Sequence, residues 1–156
     1  VAVHAPEVEL ALVGAWPDAA YRRRMERLAA DLGIAQRIQW TGHVEPTDLH
    51  RLYAQARVFC LMSRCESFGI PAVEAQAFGT PVVSSDCCAI PEVCGGGGVF
   101  VPPTEIEQTA AALLRLLTDD AAWAGFSVLA VRNAARFRWE ICSPPLLGMF
   151  DQVGDA

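Results

Sequence analysis

The sequence predicts an α/β fold: a parallel sheet with helices on both faces. Three observations carry this. Short apolar runs alternate with segments of helical periodicity along nearly the whole chain. The runs are almost continuously apolar, as strands covered on both faces are. Finally, 156 residues that are 53% hydrophobic and 19% charged suit one domain with a sizeable core.

The elements follow in order. "VELALVG" (8–14) reads as a buried strand ended by Gly14. Tyr21, Met25, Leu28, Ala29 and Leu32 recur at helical spacing, and Gly33 is a C′ stop. Arg22, Arg23, Arg24 and Arg27 take most of the other face; this is a solvated face, with acceptor or membrane contact as the competing reading. "RIQWTG" (37–42) is a second strand, 46–56 a helix and "VFCLM" (58–62) a third strand. "GIPAVEAQAFG" (69–79) is a helix with Pro near its start and Gly at its end. "PVVSS" (81–85) and "GVFVPP" (98–103) are the fourth and fifth strands. Thr104 and Glu107 form a capping box before the apolar run 111–117, and a further helix covers 119–136. Pro144 and Pro145 then break or restart the last helix. No linker divides the chain, so residues 1–156 are expected to be a single domain.

Composition excludes several functions. The net charge is -6 and every basic residue is Arg, so no mechanism needs a lysine from this chain, and nucleic acid is a poor partner. No apolar run is long enough to cross a bilayer, and "VAVHAPEVEL", without a charged n-region and an h-region, is not expected to be a signal peptide. The chain begins without Met and reads as a fragment. Six cysteines contain no CxxC pair, which argues for free thiols and no metal site, with Cys87-Cys88 as a redox-sensitive spot.

In an open parallel sheet, ligands bind along the edge where the strands end. Gly14, the Gly42-His43-Val44 turn, "SRCESFGI" and "SSDCCAIPEV" all fall on that edge. The third loop carries the most chemistry. Ser67, Phe68, Gly69 and Ile70 lead into a helix whose first N–H groups lack intrahelical partners and favour a phosphate. Gly69 lets a ligand approach the backbone. Glu74, one turn in, could accept two hydrogen bonds from a vicinal diol such as a ribose. The bland readings stand beside these: Glu74 as a solvated helix residue, Glu66 as a dipole-stabilising carboxylate, His43 as a loop residue.

The stretch Ser63-x-x-Glu66-Ser67-Phe68-Gly69-Ile70-Pro71-x-x-Glu74-Ala75-x-Ala77-x-Gly79-x-Pro81-Val82-Val83 resembles the E-x7-E signature of retaining GT-B glycosyltransferases of the family-4 type. "LALVGAW", "IQWTGHVEPTDLHRLYAQARVFCLMS", "IPEVCGGGGVFVPP" and "FRWE" extend the resemblance over residues 8–153. It implies a Rossmann-like C-terminal half of a GT-B fold that binds a nucleotide-diphosphate sugar. It places Glu66 as the catalytic carboxylate beside the donor sugar and phosphates. The backbone of Phe68, Gly69 and Ile70 would contact sugar and diphosphate, Glu74 the ribose, and His43 and Val44 the base. Transfer would retain anomeric configuration without a metal ion or other cofactor. The acceptor, a sugar, lipid or polysaccharide, would be bound by an N-terminal domain not included here. The setting would be cytoplasmic, with peripheral contact at the inner membrane face.

Three departures qualify this. The Gly-Arg…Lys-Gly element that opens the family's C-terminal half is not in the sequence. The acceptor-binding half is not in it either. Cys142 to Pro145 interrupt the helix that crosses back. The chain alone is therefore expected to be inactive and a weak donor binder. The alternatives are a GT-B-like nucleotide-sugar epimerase and a truncated, non-catalytic Rossmann-like interaction module.

Overall fold

The computed structural model describes residues 1–154; the last two residues of the 1–156 span lie outside them. The chain forms two compact units, Val1–Leu52 and a second from Tyr53 onward.

In the first unit, strand β1 (Leu10–Val13) pairs in parallel with β2 (Ile38–Gly42) through helix α1 (Ala19–Asp31). Asp18 starts α1 by accepting the N–H groups of Ala20 and Tyr21 at 2.8 and 2.9 Å. Gly33 ends it as expected, with φ +68°. The Gly33 N–H donates to Ala30 O and the Ile34 N–H to Ala29 O, both at 2.9 Å, which is a Schellman closure. Trp16 sits edge-on to Trp40 at 5.0 Å, and Arg22 lies over the Trp40 ring. One expectation fails here. β1 is not buried: Leu10 and Val13 are 45% and 42% exposed. The apolar run specifies a strand, but burial needs neighbours, and β1 has one paired edge in a two-stranded ladder.

The second unit contains a three-stranded parallel sheet in the order β3 (Phe59–Leu61), β4 (Val82–Ser85), β5 (Gly98–Val101). Helix α2 (Pro46–Gln55) precedes β3, α3 (Ile70–Ala77) joins β3 to β4, and α4 (Ile90–Cys94) joins β4 to β5. All four residues of β4 are buried, as a central strand requires. Ala72, Val82, Ile90 and Cys94 make the core, with Phe59, Leu61 and Phe100 packed against it. Each fully buried valine stabilises the fold by about 1.5–3 kcal/mol. Burial also pushes the Cys94 thiol up to about 11.

Helices α5 (Ile106–Thr118) and α6 (Asp120–Ala134) follow, then α7 (Trp139–Cys142) and α8 (Pro144–Gly154). The proline pair restarts the helix, as expected: Pro144 opens α8 directly after Ser143. The expected Thr104–Glu107 capping box does not form. Glu105 occupies the N-cap and no side chain caps it. The turn closed by the Glu105 N–H on Pro102 O at 2.9 Å delays helix entry by one residue, which puts Thr104 out of register.

Arg57 joins the start of this sheet to the α5–α6 corner. Its Nε donates to Leu116 O at 3.0 Å, its Nη2 pairs with Asp120, and its guanidinium lies 5.4 Å from the Trp123 ring centroid. The Trp123 indole N–H returns a bond to Arg57 O at 2.7 Å.

Behind α3 runs a buried polar network. Gln76 Nε2 donates to Cys94 O at 2.9 Å. Asn133 Nδ2 donates to Gln76 Oε1 at 2.7 Å and to Val93 O at 2.8 Å. This ties α3, α4 and α6 together and fixes the angle at which α3 presents its N-terminus. Asn133→Ala leaves Gln76 Oε1 and Val93 O without that donor. Each group left unpartnered costs about 1–3 kcal/mol, so chemical denaturation should show a loss of that order or larger. A loss below about 0.5 kcal/mol, the size of a surface change, would mean water replaces the amide.

Candidate functional site

The loop between β3 and α3 is built around Gly69. It is the N-cap of α3, with φ +85° and ψ +42°. A Cβ there would stand 2.4 Å from Ile90 Cδ1, so both the backbone angle and the space demand glycine. The left-handed residue turns the chain sharply from the strand end into the helix. Ala72 N–H already bonds Gly69 O at 2.9 Å, so helix formation begins at once. The free N–H groups of the first turn of α3 favour an anion there.

Glu66 is half-buried, and its Oε1 accepts the N–H of Ser67 at 3.1 Å. The carboxylate is folded onto its own loop. Ser67 is exposed. Phe68 is 39% exposed and edge-on to Phe137 at 5.5 Å, and the Arg136 guanidinium lies 5.4 Å from the Phe137 centroid. Ile70 is 60% exposed at the first position of α3. An amide-rich turn thus has a carboxylate at its entrance and an aromatic wall with a cation behind it.

Glu74, one turn into α3, is exposed, and its Oε2 accepts a hydrogen bond from the Tyr53 hydroxyl at 3.1 Å. Tyr53 is itself 5% exposed and packs against Phe59 and Phe78. Burial, then the Glu74 charge and hydrogen bond, hold the phenol well above its ordinary range, so it stays a donor at any physiological pH. Tyr53 therefore fixes one carboxylate oxygen and leaves the carboxylate enough lone pairs for two further hydrogen bonds.

The structure brings together Glu66, Ser67, Phe68, Gly69, Ile70 and Glu74 in the second unit. In the first unit, Gly14 and the Gly42-His43-Val44 turn meet at the ends of β1 and β2: the Gly14 N–H donates to Gly42 O at 2.9 Å. Gly14 has φ +123°, His43 is exposed and Val44 half-buried. Val13, Ala15, Trp16 and Tyr21 line a depression beside Gly14. Sequence reasoning missed Tyr53, which lies in the segment 46–56 read only as a helix, and missed Arg136 and Phe137. For these last two, the "FRWE" match was the available signal, since it begins at Phe137.

Comparison with known proteins identifies the family. The family model "Glycosyl transferases group 1" matches residues 2–130. The O-antigen chain mannosyltransferase B of Escherichia coli is 34% identical over 113 residues, 72% of this chain and 30% of that protein. The D-inositol 3-phosphate glycosyltransferase of Mycobacterium marinum is 37% identical over 136 residues, 84% of this chain and 29% of its own. Among solved structures, sucrose-phosphate synthase from Thermosynechococcus elongatus superposes with a TM-score of 0.83 at 30% identity, over 94% of this chain and 39% of that one. Anabaena Alr3699/HepE in complex with UDP gives 0.86 at 23% identity, over 97% and 43%, a likeness of fold. The domain is thus of the GT-B glycosyltransferase type. The chain belongs to the group 1 glycosyl transferases. It spans less than a third of the length of the two curated relatives.

Proposed function

We propose that this chain is the donor-binding half of a retaining glycosyltransferase, which moves a sugar from a nucleotide-diphosphate sugar to an acceptor held by another part of the protein. The observation that carries the reading is Glu74 one helical turn beyond the Gly69 turn, with one oxygen held by Tyr53. Anion-favouring amides and a diol-accepting carboxylate at that spacing suit a nucleoside diphosphate.

In this reading the turn at 67–70 receives the diphosphate. Its N–H groups stabilise the charge that grows on the leaving group. On binding, Glu66 gives up the Ser67 amide and turns to the donor sugar. Ser67, Phe68 and Ile70 border that sugar, Glu74 holds the ribose hydroxyls, and Gly14, His43 and Val44 lie near the base. The names of relatives, mannosyltransferases among them, support a hexose as the transferred group. The UDP complex of the fold neighbour makes uridine the first base to try. The E-x7-E pair, Glu66 and Glu74, belongs to this proposal, as do a cytoplasmic setting and peripheral membrane contact through the arginines of α1. Among the described residues no helix is long and apolar enough to cross a membrane.

Calorimetric titration with UDP, GDP and ADP tests the reading. Binding of one nucleotide that Glu74→Ala weakens supports it. Equal binding by both proteins returns Glu74 to the solvated surface and overturns the site. The proposal includes no metal ion, so the titration should give the same Kd with and without a strong chelator. A chelator that abolishes binding would count against amide-based stabilisation of the diphosphate.

A further inference from the structure

We propose that Phe137 is a positioning residue of the donor site: its ring braces Phe68 and so holds the 67–70 turn in the shape that receives the diphosphate. The ligand rests on the donor-site reading; the brace rests on packing alone. The Phe137 ring stands edge-on to Phe68, at 5.5 Å between centroids and 83° between planes. An edge-to-face pair contributes beyond the area it buries. Phe68 is 39% exposed, while Phe137 is half-buried. Ser67 and Phe68 belong to no helix or strand, so side-chain packing must supply the order that a ladder gives elsewhere.

Phe137 can act as a brace because the segment before it is fixed. It ends a 3-10 turn, Ala135–Phe137, that follows α6 without a break. α6 is pressed against its neighbours. A Cβ on Gly79, just past α3, would stand 3.1 Å from Ser127 Oγ, and one on Gly97, just before β5, 2.5 Å from Ala130 Cα. Further along, Asn133 bonds Gln76 at 2.7 Å. Arg136 links that buried network to the ring: its Nη1 donates to Asn133 Oδ1 at 3.0 Å, and its guanidinium lies 5.4 Å from the Phe137 centroid. Residues 127–137 therefore meet α3 at three places: Gly79 past its end, Gln76 in its last turn, and Phe68 ahead of its start. The loop of Glu66 and the helix of Glu74 share this one support.

Backbone N–H groups hold a phosphate only when they point at it together. Gly69, with φ +85°, gives the turn its direction but also the widest backbone freedom of any residue type. Phe68 is the residue directly before it, so fixing the Phe68 ring removes freedom from that hinge. Without the Phe137 edge, Phe68 can swing and the amides of the turn diverge. The ligand must then order the turn itself, and that ordering is subtracted from the affinity.

The first part of the test needs no nucleotide. Ala72 and Val73 donate their N–H groups to Gly69 O, so their amide hydrogen exchange reports whether the turn holds. Val83, in the buried strand β4, reports overall stability. In Phe137→Ala, exchange at Ala72 and Val73 should rise about tenfold or more beyond any rise at Val83. Phe137→Tyr keeps the ring edge and should restore the parent rates. Trp123→Phe, at the Arg57 corner, should keep the Ala72 and Val73 amides in step with Val83. Phe137→Leu carries the same test should the alanine chain not fold. Calorimetry with the nucleotide that the parent binds should then give a Kd weaker by about tenfold for Phe137→Ala and near the parent's for Phe137→Tyr. Equal rises at all three amides overturn the brace and make Phe137 an ordinary packing residue. Faster exchange at Ala72 and Val73 with an unchanged Kd overturns the positioning role. A parent chain that binds none of UDP, GDP and ADP overturns the donor reading, and the exchange rates alone then decide the brace.

Discussion

Glu74→Ala will weaken nucleotide binding by roughly tenfold to a hundredfold, at a modest cost in stability. The two halves of this expectation have separate causes. Glu74 is exposed, and among the described residues its side chain is hydrogen-bonded to the Tyr53 hydroxyl at 3.1 Å. Truncating it takes the acceptor from the hydroxyl of a residue that is 5% exposed, at a cost of about 1–3 kcal/mol unless water replaces the carboxylate. In the proposed complex the carboxylate accepts hydrogen bonds from ribose, and a hydrogen bond to a charged group is worth about 1.5–3 kcal/mol. By affinity arithmetic one such bond is a factor of about 10 to 150. Glu74→Gln keeps the shape and loses the charge, so it should fall between. Tyr53→Phe is the informative partner: it leaves the carboxylate in place and frees it to rotate. Its expected effect on Kd is a few-fold, the cost of fixing a side chain that the phenol otherwise holds. If Tyr53→Phe weakens binding as much as Glu74→Ala, the phenol itself contacts ligand. If Glu74→Ala binds as well as the parent, the ribose assignment is wrong.

Gly69→Ala is expected to give the largest loss in stability of any small substitution in the site. Two penalties act together. A residue with a Cβ held at φ +85° costs on the order of 1–3 kcal/mol. The new methyl would also meet Ile90 Cδ1 at 2.4 Å, far inside van der Waals contact. Ile90 is fully buried in the core and cannot swing away freely. Either the loop or the core must move, and overpacking adds about 1–3 kcal/mol. Urea denaturation measures the sum. The double variant Gly69→Ala with Ile90→Val separates the two parts. Losing Cδ1 removes the clash and leaves the backbone strain, so the double variant should be less destabilised than the two single losses added together. Strict additivity would show that the side chain plays no part in excluding Cβ.

Most of the scaffold was legible because it depends on local signals. Five apolar runs gave five strands, and Gly33 marked the end of α1 because a Schellman closure needs a left-handed residue there. The Glu66-to-Glu74 spacing was readable for the same reason: Pro71 and Gly79 bracket one short helix. What was not legible depends on distant partners. Burial of β1 was overestimated because apolarity says nothing about how many strands lie beside it. The Thr104 cap failed because a turn through Pro102 and Pro103 shifted the helix start by one residue. Tyr53 is 21 residues from Glu74, and no periodicity links them. The same holds for Gln76 and Asn133, which are 57 apart and buried together.

The Arg57 joint shows what selects one cation over another. Its three engagements use three different properties of one group: an Nε–H aimed at the Leu116 carbonyl, a separate Nη2 edge toward Asp120, and a flat face against the Trp123 ring. A primary ammonium has the charge but neither the second edge nor the plane. At this position the chain therefore needs a shape, and the positive charge comes with it. In a sequence whose basic residues are all arginine, this corner is one place where geometry alone explains the choice.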